Sequence, residues 1–279
     1  LMNVLYRIRP YEKIRGSANA LYEKWAQTCR YSLEGAEQSV FRRNIEGIVD
    51  DFDRIEIVNA LKPKVGLVGE ILVKFHPTAN NNVVQIVEDE GAEAVMPGLT
   101  DFLLYCAYNQ NYKYRYLSGR KSAQVLGNIA IRIIEYFRRT YREVLSASKR
   151  FYEPETIQSI ARGAETVLDL GHQAGEGWLL TGEMVELIKK GIKNIICMQP
   201  FACLPNHVTG KGMIKELRRV YPGTNIVAID YDPGASEVNQ LNRIKLMLSR
   251  AFDDLRNGRF GSTSQSGYGE DTQMVSGIM

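Results

Sequence analysis

Two of the chain's four cysteines, Cys197 and Cys203, stand in the segment Asn194-Ile-Ile-Cys-Met-Gln-Pro-Phe-Ala-Cys-Leu-Pro-Asn-His207, where an apolar strand runs into a loop. In an open α/β sheet ligands gather beyond the carboxyl ends of parallel strands, so thiolates placed there would hold a metal centre and bring redox chemistry. The same positions also suit cysteines that pack as small hydrophobes. A third thiol, Cys106, closes the run Asp101-Phe-Leu-Leu-Tyr-Cys106 in a predicted helix. A cubane cluster needs three or four soft ligands, and loops of different subdomains can supply them singly. No compact Cys-x-x-Cys-x-x-Cys repeat is present, and a Cys197–Cys203 disulfide is disfavoured in a reducing cell. Cys29 falls on the apolar face of a predicted helix and reads as packing.

The acid–base groups are few. His76, His172 and His207 all lie on loops that follow apolar segments, and His207 is the best placed for a site role because it stands close to Cys203. Glu70 ends the first predicted strand, where a carboxylate either meets substrate or caps the next helix. Glu176 and Glu183 bracket Trp178. Asp230 and Asp232 are candidates for a hard cation, although helix capping accounts for Asp232 without one. No Gly-x-Gly-x-x-Gly follows a strand, and Thr209-Gly-Lys-Gly212 lacks the spacing of a P-loop, so nucleotide hydrolysis is not encoded here. A turn with glycines at 210 and 212 beside Lys211 could offer backbone N–H groups to an anion, but it reads rather as a tight entry to a helix.

These residues are positioned by alternating strands and helices. Residues 17–61 have the spacing of two helices. Residues 64–70 and 94–97 read as buried strands, with helices over 83–91 and 100–108 and an Asn80-Asn-Asn capping cluster between them. Residues 122–149 form one long amphipathic helix or two. The order then repeats: a helix over 156–170, a glycine-rich loop over 171–177, a helix over 179–190, strands over 194–198 and 225–230, and a helix over 210–220. Asp232 and Pro233 are expected to open the last helix, with Val238, Leu241, Ile244, Leu248 and Phe252 on its buried face. This order predicts an α/β protein with two Rossmann-like parallel-sheet subdomains and additional helices. The expected units are an amino-terminal helical segment over 1–62 continuing an upstream domain, α/β subdomains over 63–150 and 151–256, and a flexible tail over 257–279.

Composition narrows the function classes. The 279 residues are 44% hydrophobic and 24% charged, those of an ordinary globular chain. The 35 basic and 32 acidic residues leave a net charge of +3, interspersed along the chain, which argues against nucleic acid as a partner. No run approaches the roughly 18 to 20 apolar residues of a membrane helix. Four cysteines without an apolar signal segment predict a cytoplasmic protein with free or metal-bound thiols. The start, Leu1-Met-Asn-Val, predicts a fragment of a longer chain.

Four stretches carry a resemblance: Val68-Gly-Glu-Ile-Leu-Val73, Pro97-Gly-Leu-Thr-Asp-Phe-Leu-Leu-Tyr-Cys106, Gln199-Pro-Phe-Ala-Cys-Leu-Pro-Asn-His207 and Asp230-Tyr-Asp-Pro-Gly-Ala-Ser-Glu-Val-Asn-Gln-Leu-Asn-Arg243. With them, most of residues 5–255 resemble the carboxyl-terminal part of large activase-like proteins related to 2-hydroxyacyl-CoA dehydratases and benzoyl-CoA reductases. The resemblance implies an iron–sulfur, electron-accepting dehydratase-like domain. Its partner would be an activator-type ATPase module, fused or separate, and its substrate an acyl-CoA thioester that receives one electron. It further implies a 4Fe-4S cluster with Cys106 and Cys203 as thiolate ligands and Cys197 in reserve; Glu70 and His207 are the candidate catalytic groups. The chain departs from the pattern in lacking the activator's nucleotide motifs and in showing no complete ligand set. Two other readings are a non-catalytic docking or regulatory module with inert cysteines, and an acyl-CoA-binding domain without redox function. An oligomer is compatible with all three.

Overall fold

The computed structural model describes residues 1–35, 38–232, 234 and 236–258. Pro233 and residues 259–279, which hold most of the expected tail, lie outside the described residues. The first three helices are α1 (Met2–Ile8), α2 (Ser17–Gly35) and α3 (Gln38–Asp53), with a 3-10 turn at Arg9–Tyr11. Then follow β1 (Lys64–Gly69), α4 (Ile71–Phe75), α5 (Val83–Asp89), β2 (Glu93–Val95), α6 (Leu99–Tyr116), α7 (Lys121–Ala147), α8 (Ile157–Ala164) and α9 (Gly177–Lys189). The chain continues through β3 (Asn194–Gln199), α10 (Ile214–Val220), β4 (Asn225–Asp230) and α11 (Glu237–Arg256).

The four strands form one parallel sheet in the order β2-β1-β3-β4. The expectation of two parallel-sheet subdomains is therefore corrected: the first half contributes β1 and β2, the second β3 and β4, and the halves join where Val68 pairs with Cys197. The reason is burial. β1 and β3 are buried along nearly their whole length, so each needs a hydrogen-bonded neighbour on both edges. A two-stranded sheet in either half would leave one of those edges bare.

Each face of the sheet is covered. Val65, Leu67, Ile196, Met198 and Ile229 face α5 and α11. Val68, Ile195 and Cys197 face α9 and α10. α9 is apolar nearly all round because its other side packs against α6 and α8 through Trp178, Tyr105 and Ile160. α1, α2, α3 and the end of α7 make a further core around Phe52 and Leu145. Arg7 and the Tyr11 hydroxyl tie this helical region to the sheet by meeting the buried Glu93 carboxylate of β2 at 2.5 and 2.7 Å.

Other expectations shift at the element ends. The stretch expected over 122–149 is one helix, α7, ending at Ala147, and α6 runs eight residues beyond the expected end at 108. The last helix opens at Ser236, whose Oγ accepts from Asn239 N at 3.4 Å, and not at Asp232. Its buried seam is Gln240, Ile244, Met247, Leu248 and Ala251; Val238 faces solvent because it sits in the first turn on the outer side.

Candidate functional site

β1 leads through α4 and α5 to β2 on one side of the sheet, and β3 leads to β4 on the other. The carboxyl ends of β1 and β3 therefore flank the topological switch point, where ligands of open α/β sheets bind. Glu176, just before α9, sits between the two exits. Its Oε1 accepts from Ile71 N at 3.2 Å, on the β1 side, and its Oε2 accepts from Asn206 Nδ2 at 3.1 Å, on the β3 side. The glycine-rich loop over 171–177 leads into this position through a tight turn. Gly177 adopts φ +43, and a Cβ there would stand 2.1 Å from His172 O and 2.4 Å from the Tyr105 hydroxyl.

The loop after β3 is irregular in a way that sets Cys203. Ala202 holds φ +60, a conformation unfavourable for a non-glycine residue, and Asn206–Gly210 forms a single π-helical turn. Strained backbone and π turns concentrate where side chains must be aimed at a site. Within the turn Thr209 Oγ1 donates to Pro205 O at 2.8 Å, and the Thr181 hydroxyl of α9 donates to Thr209 O. Asn206 is fully buried, and its Nδ2 reaches Cys203 Sγ at 3.0 Å as well as Glu176. Asn206 Oδ1 and the buried Tyr105 hydroxyl have no hydrogen-bond partner among the described residues.

The expected site residues separate on inspection. Cys203 is half-buried and joined to Glu176 through Asn206. Cys106 is exposed on α6 and feels the same carboxylate: burial pushes its thiol up, Lys113 draws it back, and Glu176 adds to the rise. Cys197 belongs to the core. It is wholly buried against α9, burial pushes its thiol up to about 12, and a Cβ on Gly210 would lie 3.0 Å from its Sγ. Glu70 caps α4, accepting from Val73 N at 2.9 Å. His207 turns Nδ1 toward Cys203 O at 3.0 Å and sets its ring edge-on to Phe201. Asp230 accepts from Gln199 Nε2 at 2.6 Å and pairs with Lys211 at 3.3 Å. His76 and His172 are exposed.

Behind Glu176 a cavity of about 10 Å³ is lined by Gly69, Phe102, Leu180, Lys74 and Glu183 among others. That is room for roughly one water. Lys74 Nζ lies 2.9 Å from both carboxylate oxygens of Glu183, deep in the interior, and burial pushes Glu183 up to about 7 against the pull of Lys74. Neither this pair nor Asn206 was foreseen from sequence. In the sequence Glu176 and Glu183 are grouped only as the carboxylates that bracket Trp178, and nothing local marks Lys74 or Asn206 as their partners.

The described residues supply part of a cubane's ligand set at most. Cys197 is sealed, Cys29 lies apart among the amino-terminal helices, Cys106 and Cys203 remain, and no group of three or more His, Cys, Asp or Glu among the described residues stands where a metal ion would be held. Comparison of the chain with protein-family models, with curated proteins and with solved structures yields no match. The α/β class stands on the sheet itself, and no helix among the described residues is long and apolar enough to cross a membrane.

Proposed function

We propose that this chain is the iron–sulfur, electron-accepting part of a 2-hydroxyacyl-CoA dehydratase/activase system, cytoplasmic and served by an activator-type ATPase. In this reading it contributes two thiolates, Cys106 and Cys203, and other ligands come from outside the described residues. The observation that carries the reading is the placement of Cys203 at the switch point of the sheet, joined through Asn206 to Glu176, with Cys106 exposed on α6. A bound cluster would supply one-electron chemistry. The chain's own part is to hold Cys203 with the Asn206 amide, to fix Glu176 between the two loops, and to keep bulk water from the interior behind it.

The test is anaerobic reconstitution of the purified chain with ferrous iron, sulfide and excess dithiothreitol, the small thiol standing in for the absent ligands. Visible absorbance and bound iron are expected in the parent and in Cys197→Ser, and are expected to be lost in Cys106→Ser and in Cys203→Ser. A colourless, iron-free parent, or iron binding that ignores both substitutions, overturns the reading. The rival is a docking or regulatory module with inert cysteines, supported by the absence of a third ligand among the described residues. A domain that binds acyl-CoA without redox function is a third reading, tested by the affinity of the chain for CoA esters.

A further inference from the structure

The interspersed charge of the whole chain gives way in two stretches without a carboxylate, residues 102–134 and 187–215, and the first of them is a helical hairpin. Between Asp101 and Glu135 there is no carboxylate, and Lys113, Arg115, Arg120, Lys121 and Arg132 give this stretch a charge of +5. It forms the hairpin of α6 and α7, and none of the five cations has an ion pair with another described residue. Nearly all other cations close to α7, such as Arg138, Arg139 and Arg142, are paired.

α7 carries two apolar seams. Gly127, Ile131, Arg138 and Leu145 face the body of the protein. On the other side Leu126, Ile129, Ile133 and Tyr136 repeat at intervals of three, four and three, with Val125 and Phe137 beside them, and all six are exposed; Leu126 is 68% and Tyr136 61% exposed. Such spacing is that of one seam of a coiled coil, which accepts the knobs of a single opposing helix. The seam runs roughly 18 Å, about two heptads. Lys121 and Arg132 line one edge. An antiparallel second copy would bring those cations against their own copies, and a bilayer surface asks for a broad apolar face in place of one line of side chains.

We infer that the outer face of α7 docks an amphipathic helix of another protein whose apolar seam is flanked by Asp or Glu. The inference is independent of the cluster reading. It is tested on the full chain by fluorescence anisotropy with two labelled three-heptad peptides, identical at their Leu a and d positions and flanked at e and g by Glu in one and Lys in the other. The Glu peptide is expected to bind at least about tenfold more tightly than the Lys peptide, and Ile129→Asp, Ile133→Asp and Arg132→Glu are each expected to weaken it about tenfold. Circular dichroism and melting temperature are expected to be unchanged, since these side chains face solvent. Equal binding of the two peptides, or binding of neither, overturns the inference. So does association with phosphatidylserine vesicles that Ile133→Asp abolishes, which would make the face a membrane contact. A parent dimer that Ile133→Asp converts to monomer in sedimentation would make it a self-contact and overturn it equally.

Discussion

Lys74 Nζ of α4 stands 2.9 Å from both oxygens of the Glu183 carboxylate of α9, with each side chain almost wholly buried. Burial of two charges is repaid only while both are present. Lys74→Met is therefore expected to destabilise the fold by about 3 to 5 kcal/mol at pH 8, where Glu183 must either keep an unpaired charge in the interior or take up a proton to lose it. The double variant Lys74→Met/Glu183→Leu is expected to recover most of that loss. Urea denaturation of the two variants and the parent decides it, and a double variant as unstable as the single one would contradict the account.

The same carboxylate sets a pH dependence. Glu183 has a native pKa raised from 4.5 to about 7, first by burial, so the folded state binds its proton more tightly than the unfolded state. Its contribution to stability is fully present below 4.5 and is lost as pH rises through about 7. The stability of the parent relative to Glu183→Gln is expected to fall between pH 5 and 8, on the order of 2 kcal/mol. Chemical denaturation at the two pH values measures it, and a difference that grows with pH would be incompatible with a raised native pKa.

Thiol reactivity follows burial. Cys106 is expected to react with iodoacetamide in the native protein, whereas Cys197, wholly buried and pushed up to about 12, reacts only after unfolding. Because the Glu176 charge adds to the rise in the Cys106 pKa, Glu176→Gln is expected to shift the pH profile of Cys106 alkylation downward. Peptide mapping by mass spectrometry reads both effects, and native labelling at Cys197 would disprove the sealed position.

The junction of β1 and α4 depends on Gly69. A Cβ there would stand 2.0 Å from Met198 O and 2.9 Å from Met198 N, both backbone atoms of the adjacent strand. Gly69→Ala is expected to cost about 3 kcal/mol, since neither strand can give way without losing its ladder. A thermal melt within a degree of the parent would show that the strands do not approach as described.

The strands, the apolar face of α9 and the long helix were legible because their signals are local: runs of Val, Ile and Leu bounded by glycine, and a spacing near 3.6 residues. The joining of β1 to β3 was not, since it pairs residues some 130 positions apart and leaves no periodicity. Cys197 and Cys203 show how short the reach of sequence was. Both belong to one fourteen-residue segment, yet one side chain of β3 faces α9 in the core while the other follows a strained Ala202 to the switch point.

By itself the sequence determined the α/β class, the inventory of thiols, histidines and carboxylates, and the acid-free stretch between Asp101 and Glu135, because each is a property of composition or of near neighbours along the chain. Tertiary structure alone decided that the two halves share one sheet, that Glu176 joins the loops after β1 and β3, that Lys74 meets Glu183, and that one seam of α7 stays exposed. These depend on which surfaces exclude water from one another, and burial of that kind is settled only when distant segments pack.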